Sequence, residues 1–163
     1  MKFIDANHDR WHEVTADDST VAVPAARPWS IVSLAQWQAV RGSWPTDTPV
    51  GLIVENDADI ESVAADLPRL ALVALHFPKW TDGRAYSQAR LLRARFRFAG
   101  EIRATGEVLI DMLPLLERTG FDAAVLRADQ SLASARRVLG FFSAGHYQGD
   151  VIEPKPRFAR TAP

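Results

Sequence analysis

The chain contains no cysteine and only two methionines among its 163 residues. This composition excludes disulfides, thiol nucleophiles and iron–sulfur clusters held by thiolates. The four histidines show no spacing typical of a metal site, so no metal is predicted. Any redox role must therefore use a bound cofactor or the redox centres of a partner protein.

Several sequence motifs are also missing. The chain has no G-x-G-x-x-G after a strand, no G-x-x-x-x-G-K-[ST] phosphate loop and no G-x-S-x-G nucleophile elbow. No apolar run approaches the ~20 residues that a membrane helix needs. The first residues, MKFIDANHDRWHEV, are too polar and acidic for a signal peptide. We therefore expect a cytoplasmic protein that does not bind a membrane.

The charges are divided unevenly along a chain whose net charge is −1. Residues 1–83 carry 6 basic and 12 acidic side chains, whereas residues 84–163 carry 13 basic and 8 acidic ones. Such a division suits the binding of a small anion or an acidic partner. It equally suits one domain whose acidic and basic faces neutralise each other. The sequence alone leaves both interpretations open.

Apolar runs alternate with helical patterns in the middle of the chain, which predicts a single α/β domain over residues 19–152. Residues 1–18 are predicted as a polar N-terminal arm, and residues 153–163 as a flexible C-terminal tail. The alternation favours a mostly parallel sheet of four to five strands, either small and doubly wound or half-barrel-like. A full eight-stranded barrel needs at least ~200 residues and is excluded. The predicted strands are Thr20–Val23, Val50–Val54, Ala71–Phe77, Glu101–Thr105, Ala123–Leu126 and Tyr147–Ile152.

Polar residues with helix-capping character precede each predicted helix. Ser33 and Gln36 form a capping box for a helix over Leu34–Val40. Asp57 is predicted to cap a helix that runs to about Leu67, and Asp82 a helix from Gly83 to about Arg97. Thr105 is predicted to cap a helix that bends at Pro114 and ends at Gly120. Asp129 is the predicted cap of the last helix.

Two strand-to-helix junctions combine glycine with arginine and predict a binding site. Ligands of open parallel sheets bind outside the carboxyl ends of the strands, where helix N-termini and guanidinium groups attract anions. We expect Arg84 and Arg103 to converge there on a small anion or on the phosphates of a nucleotide or flavin. The predicted ligand-binding residues are Lys79, Asp82, Gly83, Arg84, Arg103, Thr105 and Gly106.

Less specific interpretations exist for the same residues. Arg103 can face solvent, or pair with Glu101 or Asp111, from the middle of a strand. The arginines at 90, 93 and 97 are typical of a solvated helix face, and they lack the interleaved aromatics of a nucleic-acid site, so no nucleic acid is expected. A competing hypothesis is an enzyme in which Lys79, Asp82, Arg84, Glu101, Arg103 and Asp111 supply proton transfer. No catalytic residue and no cofactor can be assigned.

The block FPKWTDGRAYSQARLLR…GEIRATGEVLIDMLPLLERTGFDAAVLR, within residues 77–127, resembles bacterial domain-of-unknown-function family 934. Members of that family are commonly labelled oxidoreductases of sulfite reduction. The resemblance implies an accessory protein of assimilatory sulfite reduction, with sulfite reductase as the partner; the alternative is a cofactor-dependent oxidoreductase of the same pathway. The matching positions are Phe77, Pro78, Asp82, Gly83, Arg84, Ser87, Ala89, Leu92, Arg93, Gly100, Glu101, Arg103, Ala104, Gly106, Val108, Leu109, Asp111, Gly120, Phe121 and Asp122.

Overall fold

The computed structural model describes residues 1–5, 8–14, 24–141 and 151. Its strands are β1 (Lys2–Phe3), β2 (His12–Glu13), β3 (Ser30–Ser33), β4 (Val50–Val54), β5 (Leu70–Phe77), β6 (Glu101–Gly106) and β7 (Ala123–Ala124). Its α-helices are α1 (Leu34–Val40), α2 (Arg84–Ala94), α3 (Leu113–Thr119) and α4 (Leu132–Phe141). Short 3₁₀ turns occupy Ile60–Val63, Leu67–Arg69 and Ile110–Met112.

The described strands form one seven-stranded sheet in the order β1-β7-β6-β5-β4-β3-β2, and every neighbouring pair is parallel. From β3 to β7 each strand lies next to its predecessor. Because parallel crossovers are right-handed, this order places successive connections on the same face of the sheet. The result is a half-barrel, which confirms the predicted α/β class and its half-barrel alternative. The sheet has more strands than the four to five expected.

The convex face of the sheet holds the main core. Alternate residues of the central strands, such as Leu52, Val73 and Ile102, are fully buried in one cluster with apolar residues of all four α-helices. Trp37 of α1 and Leu92 of α2 belong to this cluster and are fully buried. Because side chains alternate between the two faces of a strand, every second residue of these strands packs against the helices.

The concave face is covered differently. Ile31, Leu72 and Ala74 form a second buried cluster there with Trp11, which comes from the N-terminal segment. A Cβ on Gly51 would lie 3.0 Å from Leu72 Cδ2 and 3.1 Å from Trp11 Cζ3. Glycine at position 51 thus leaves the room that the Trp11 ring needs to pack against the sheet.

Some residues of the predicted polar arm, 1–18, pair with both edges of the sheet. Lys2 and Phe3 pair with Ala123 and Ala124, and β2 pairs with β3 at the opposite edge of the sheet. Strands of two residues are too short to show an alternating pattern, so no sequence pattern predicts them. The strands predicted at Thr20–Val23 and Tyr147–Ile152 fall outside the described residues except for Val151, and the predicted tail lies wholly outside them.

Two predicted helix boundaries are confirmed. At the start of α1, Gln36 N donates to Ser33 Oγ at 3.2 Å while Ser33 N donates to Gln36 Oε1 at 2.8 Å, which completes the capping box. At the end of α3, Gly120 adopts a left-handed φ of +106°. Glycine reaches this conformation without the penalty that a Cβ would impose.

The helix predicted from Asp57 to Leu67 is wrong. The chain forms two short 3₁₀ turns there, and the first is capped by Asp59, whose side chain accepts from Glu61 N at 2.9 Å. Pro68 lies in the second turn and disfavours the α conformation at Leu67. The connection thus consists of two short turns in place of one continuous α-helix.

The capping roles predicted for Thr105 and Asp129 are also wrong. Thr105 lies inside β6, and Gly106 turns the chain with a φ of +86°. Pro114 lies in the first turn of α3, where its missing N–H leaves no hydrogen bond unmade, so it does not bend the helix. Before α4, Ser131 Oγ accepts from Ser134 N at 3.4 Å, while Asp129 pairs with Arg127.

We predict that Gly106→Ala destabilises the fold by at least about 1–3 kcal/mol, the cost of a strained left-handed residue. The added Cβ would also clash with Phe77 O and lie 2.7 Å from His76 Cε1. Gly42→Ala is the matched control, because a Cβ there meets nothing within 4 Å. Urea denaturation should separate the two variants, and equal stabilities would contradict the strain at Gly106.

A candidate ligand site on the concave face

The junction before α2 holds a local ion pair. Asp82 accepts from Arg84 Nε at 3.0 Å, from Arg84 Nη2 at 2.7 Å and from Arg84 N at 3.3 Å. Gly83, not the predicted Asp82, is the N-cap residue of α2. The hydrogen bonds from Arg84, with help from the nearby Asn56 amide, lower the pKa of Asp82 to about 2. The positive charge of Arg84 is therefore neutralised at the surface, beside the exposed Lys79.

Arg103 lies in a different environment, in the middle of β6. It is 3 % exposed, and strand alternation directs it to the concave face, opposite the neighbours Ile102 and Ala104 that pack in the main core. Glu101 Oε1 accepts from Arg103 Nε at 2.9 Å and lies 2.7 Å from Nη2. Asp9 of the N-terminal segment pairs with Nη1 and accepts from Nη2 at 3.5 Å.

The structure does not bring Arg84 and Arg103 together. Arg84 begins a helix on the convex side, whereas Arg103 points into the concave side. Of the remaining predicted residues, Thr105 is buried in β6 on the same side as Arg103, and Gly106 is exposed at the end of that strand. The predicted set therefore divides into a surface junction and a buried concave-face pair.

A cavity of about 320 Å³ lies beside Arg103 and is the candidate site. Small-molecule sites start at about this volume. His12 lies at the wall of this cavity, and its Nε2 atom is 3.1 Å from Ser30 Oγ. We call this space the concave-face cavity; it is lined by Ile4, Asp9, Trp11, His12, Glu13, Ile31, Arg103, Thr105 and Val125.

No sequence motif indicates the N-terminal contribution to this cavity. Asp9, Trp11, His12 and Glu13 all line it, yet they stand in the segment predicted as an arm. The one available signal was Trp11, a large apolar ring in a polar segment, which is 7 % exposed. Its ring meets Trp29 edge to face with centroids 5.2 Å apart.

Other arginines of the basic half have structural roles. Arg93, predicted on a solvated stripe, is only 15 % exposed in its side chain. It donates to the carbonyls of Phe98, Gly100 and Gly120 and pairs with Asp122. It thus joins α2 to the loops on either side of β6, because a guanidinium offers five donors in one plane.

Arg127 forms a second local network at the carboxyl end of the sheet. It pairs with Glu107 and with Asp129, each at 2.7 Å. Hydrogen bonds from Arg127 hold the pKa of Asp129 well below its usual range, and the two carboxylates raise the pKa of Arg127. The charges in this network neutralise one another and hold the connection after β7 in place. The concave-face cavity is therefore the better candidate for a ligand site.

Within the described residues, no cluster of three or more His, Asp or Glu side chains is arranged to hold a metal ion. Among the same residues, no helix has the length and apolarity required to cross a bilayer.

We predict that the stabilising effect of the Asp82 carboxylate depends on pH. Its pKa in the folded protein, about 2, lies below the usual 3.8, so this stabilisation is present above the higher value and is lost as the pH falls through the lower one. The melting-temperature difference between the wild type and Asp82→Asn should therefore shrink across that interval. A difference that stays constant down to the lower value would contradict the ion pair.

Replacing Arg103 should be far more damaging than replacing Arg84. Arg103→Met removes the buried cation that the carboxylates of Asp9 and Glu101 share, and such a loss in a buried pair costs about 3–5 kcal/mol. Arg84→Met is the matched control, because the Arg84 side chain is 57 % exposed and surface pairs contribute little. Chemical denaturation measures both, and similar losses would refute the structural role of Arg103.

Comparison with known proteins extends the resemblance beyond the central block. No curated protein matches the chain. A family model described as "Bacterial protein of unknown function (DUF934)" matches residues 51–158. The matched region runs from β4 through α4 and contains Arg103, while Asp9 precedes it. Since the match covers more than half of the sequence, the chain belongs to DUF934, a family of bacterial proteins of unknown function.

Proposed function

We propose that the protein is an accessory protein of assimilatory sulfite reduction that binds a small oxyanion or a phosphate-bearing ligand in the concave-face cavity. The pathway rests on the label that family members commonly carry. The ligand class rests on the chemistry of the cavity. The two parts of the proposal can be tested separately.

The observation that carries the ligand assignment is the position of Arg103. A guanidinium presents a planar set of donors that matches the oxygens of carboxylates, sulfur oxyanions and phosphates. Arg103 is buried at the wall of a cavity of about 320 Å³. It already holds two carboxylates, those of Asp9 and Glu101, so the environment stabilises oxyanions against this side chain.

A partner role follows from the composition of the chain. Without cysteine, the protein cannot pass electrons through a dithiol or a thiolate-ligated cluster of its own. Sulfite reductase is therefore the proposed partner. Trp80, which is 57 % exposed in the loop before α2, is the proposed contact, because tryptophan is enriched at the centres of interfaces.

Deletion of the gene should impair growth on sulfate, and added cysteine should restore it. The purified protein should show no absorbance above the aromatic band and should co-elute with sulfite reductase, with Trp80→Ala weakening the complex. Normal growth of the deletion strain on sulfate would reject the proposed role in assimilatory sulfite reduction. A yellow protein that consumes NADPH would favour the cofactor-dependent oxidoreductase instead.

A further inference from the structure

The two carboxylates on Arg103 are held in different ways. Glu101 lies on the same strand as Arg103, two residues away, and it also lies 3.7 Å from Lys2 Nζ. Its position is fixed by β6. Asp9 comes from a segment 94 residues distant in sequence and contacts the guanidinium from across the cavity.

Within the described residues, Asp9 is held by side-chain contacts. The backbone pairing of its segment with the sheet is seen beyond it, where His12 N donates to Trp29 O at 3.0 Å and Val14 N donates to Ile31 O at 2.9 Å. Besides Arg103, the Asp9 carboxylate accepts from Trp11 N at 3.3 Å. The Asp9 side chain can therefore leave Arg103 while β2 and the Trp11 packing stay in place.

The charges around the cavity show what Asp9 prevents. With Asp9 in place, the Arg103 guanidinium already holds two carboxylates, those of Asp9 and Glu101, so an incoming anion would be a third negative group on one cation. Removing the Asp9 carboxylate from the cavity would leave one face of the guanidinium open. Thr105 lines the same space, and its hydroxyl donates to Leu75 O over a long distance of 3.5 Å.

We infer that the Asp9 carboxylate occupies the position of the ligand's oxyanion group and competes with it for Arg103. This inference rests on the proposed function and names its subsite: a small carboxylate, sulfur oxyanion or phosphate exchanges for Asp9 and takes its hydrogen bonds. Glu101 stays in place, and the Thr105 hydroxyl is a further donor for the incoming oxygens.

Asp9→Asn is the direct test, because the amide keeps the size of the side chain and removes its charge. If the site opens in a small fraction of molecules, the apparent affinity of the wild type is reduced by that fraction. We expect Asp9→Asn to bind sulfite, sulfate, phosphate or acetate at least about tenfold more tightly than the wild type. Isothermal titration calorimetry with each anion gives the affinity.

Two further variants make the result specific. Asp47→Asn removes the same charge from an exposed loop and should leave anion affinity unchanged. In the Asp9→Asn background, Arg103→Lys keeps the positive charge but loses the two-pronged donor geometry, and it should cancel the gain. Circular dichroism confirms that each variant is folded.

The outcomes separate this inference from the function on which it rests. Equal affinities in Asp9→Asn, Asp47→Asn and the wild type would overturn the competition by Asp9, even if all three bind sulfite and the accessory role stands. A gain in Asp9→Asn that survives Arg103→Lys would overturn the subsite. Tighter binding in Asp9→Asn, with normal growth of the deletion strain on sulfate, would support the subsite and reject the pathway.

Discussion

The buried guanidinium of Arg103 imposes the constraint on which the concave face depends. An ion removed from water costs several kcal/mol unless partners replace its hydration. The β6 strand itself supplies one carboxylate, Glu101, two residues away. The second must come from elsewhere in the chain, and Asp9 supplies it. The N-terminal segment is thereby drawn across a face of the sheet that the helices do not cover.

The shape of the sheet permits this crossing. Gly51 removes the side chain that would otherwise meet Trp11, and the Trp11 ring then packs against Leu72 and Ile31. A single segment covers less area than a helix layer does, so a cavity remains between Trp11, Ile31 and Arg103. The N-terminal segment therefore covers only part of the concave face, and the uncovered part has space for a ligand. Electrostatics and packing thus define the candidate site together.

The central strands could be predicted because parallel strands buried on both faces appear as continuous apolar runs, such as Val50–Val54. The Glu101 partner of Arg103 was also within reach, since it lies two residues away on the same strand. Asp9 was not, because no local pattern encodes a pairing across 94 residues. The prediction for Arg84 failed for a different reason. Asp82 lies two residues away, where it is predicted as a helix cap and Arg84 as a free cation, but the two side chains pair with each other.

The uneven charge of the two halves of the chain admits two interpretations, and the ion pairs of the structure support self-complementarity. Arg95 pairs with Glu61, and Arg103 with Asp9, so basic residues of the second half do neutralise acidic residues of the first. This self-complementarity also sets a condition on any ligand. An anion that reaches Arg103 must displace a carboxylate that is already desolvated and hydrogen-bonded. An ion with a single weak acceptor cannot do so, whereas a compact group with several oxygens can satisfy the guanidinium and the Thr105 hydroxyl at once. Competition with the chain's own carboxylate would therefore make the concave face selective among anions.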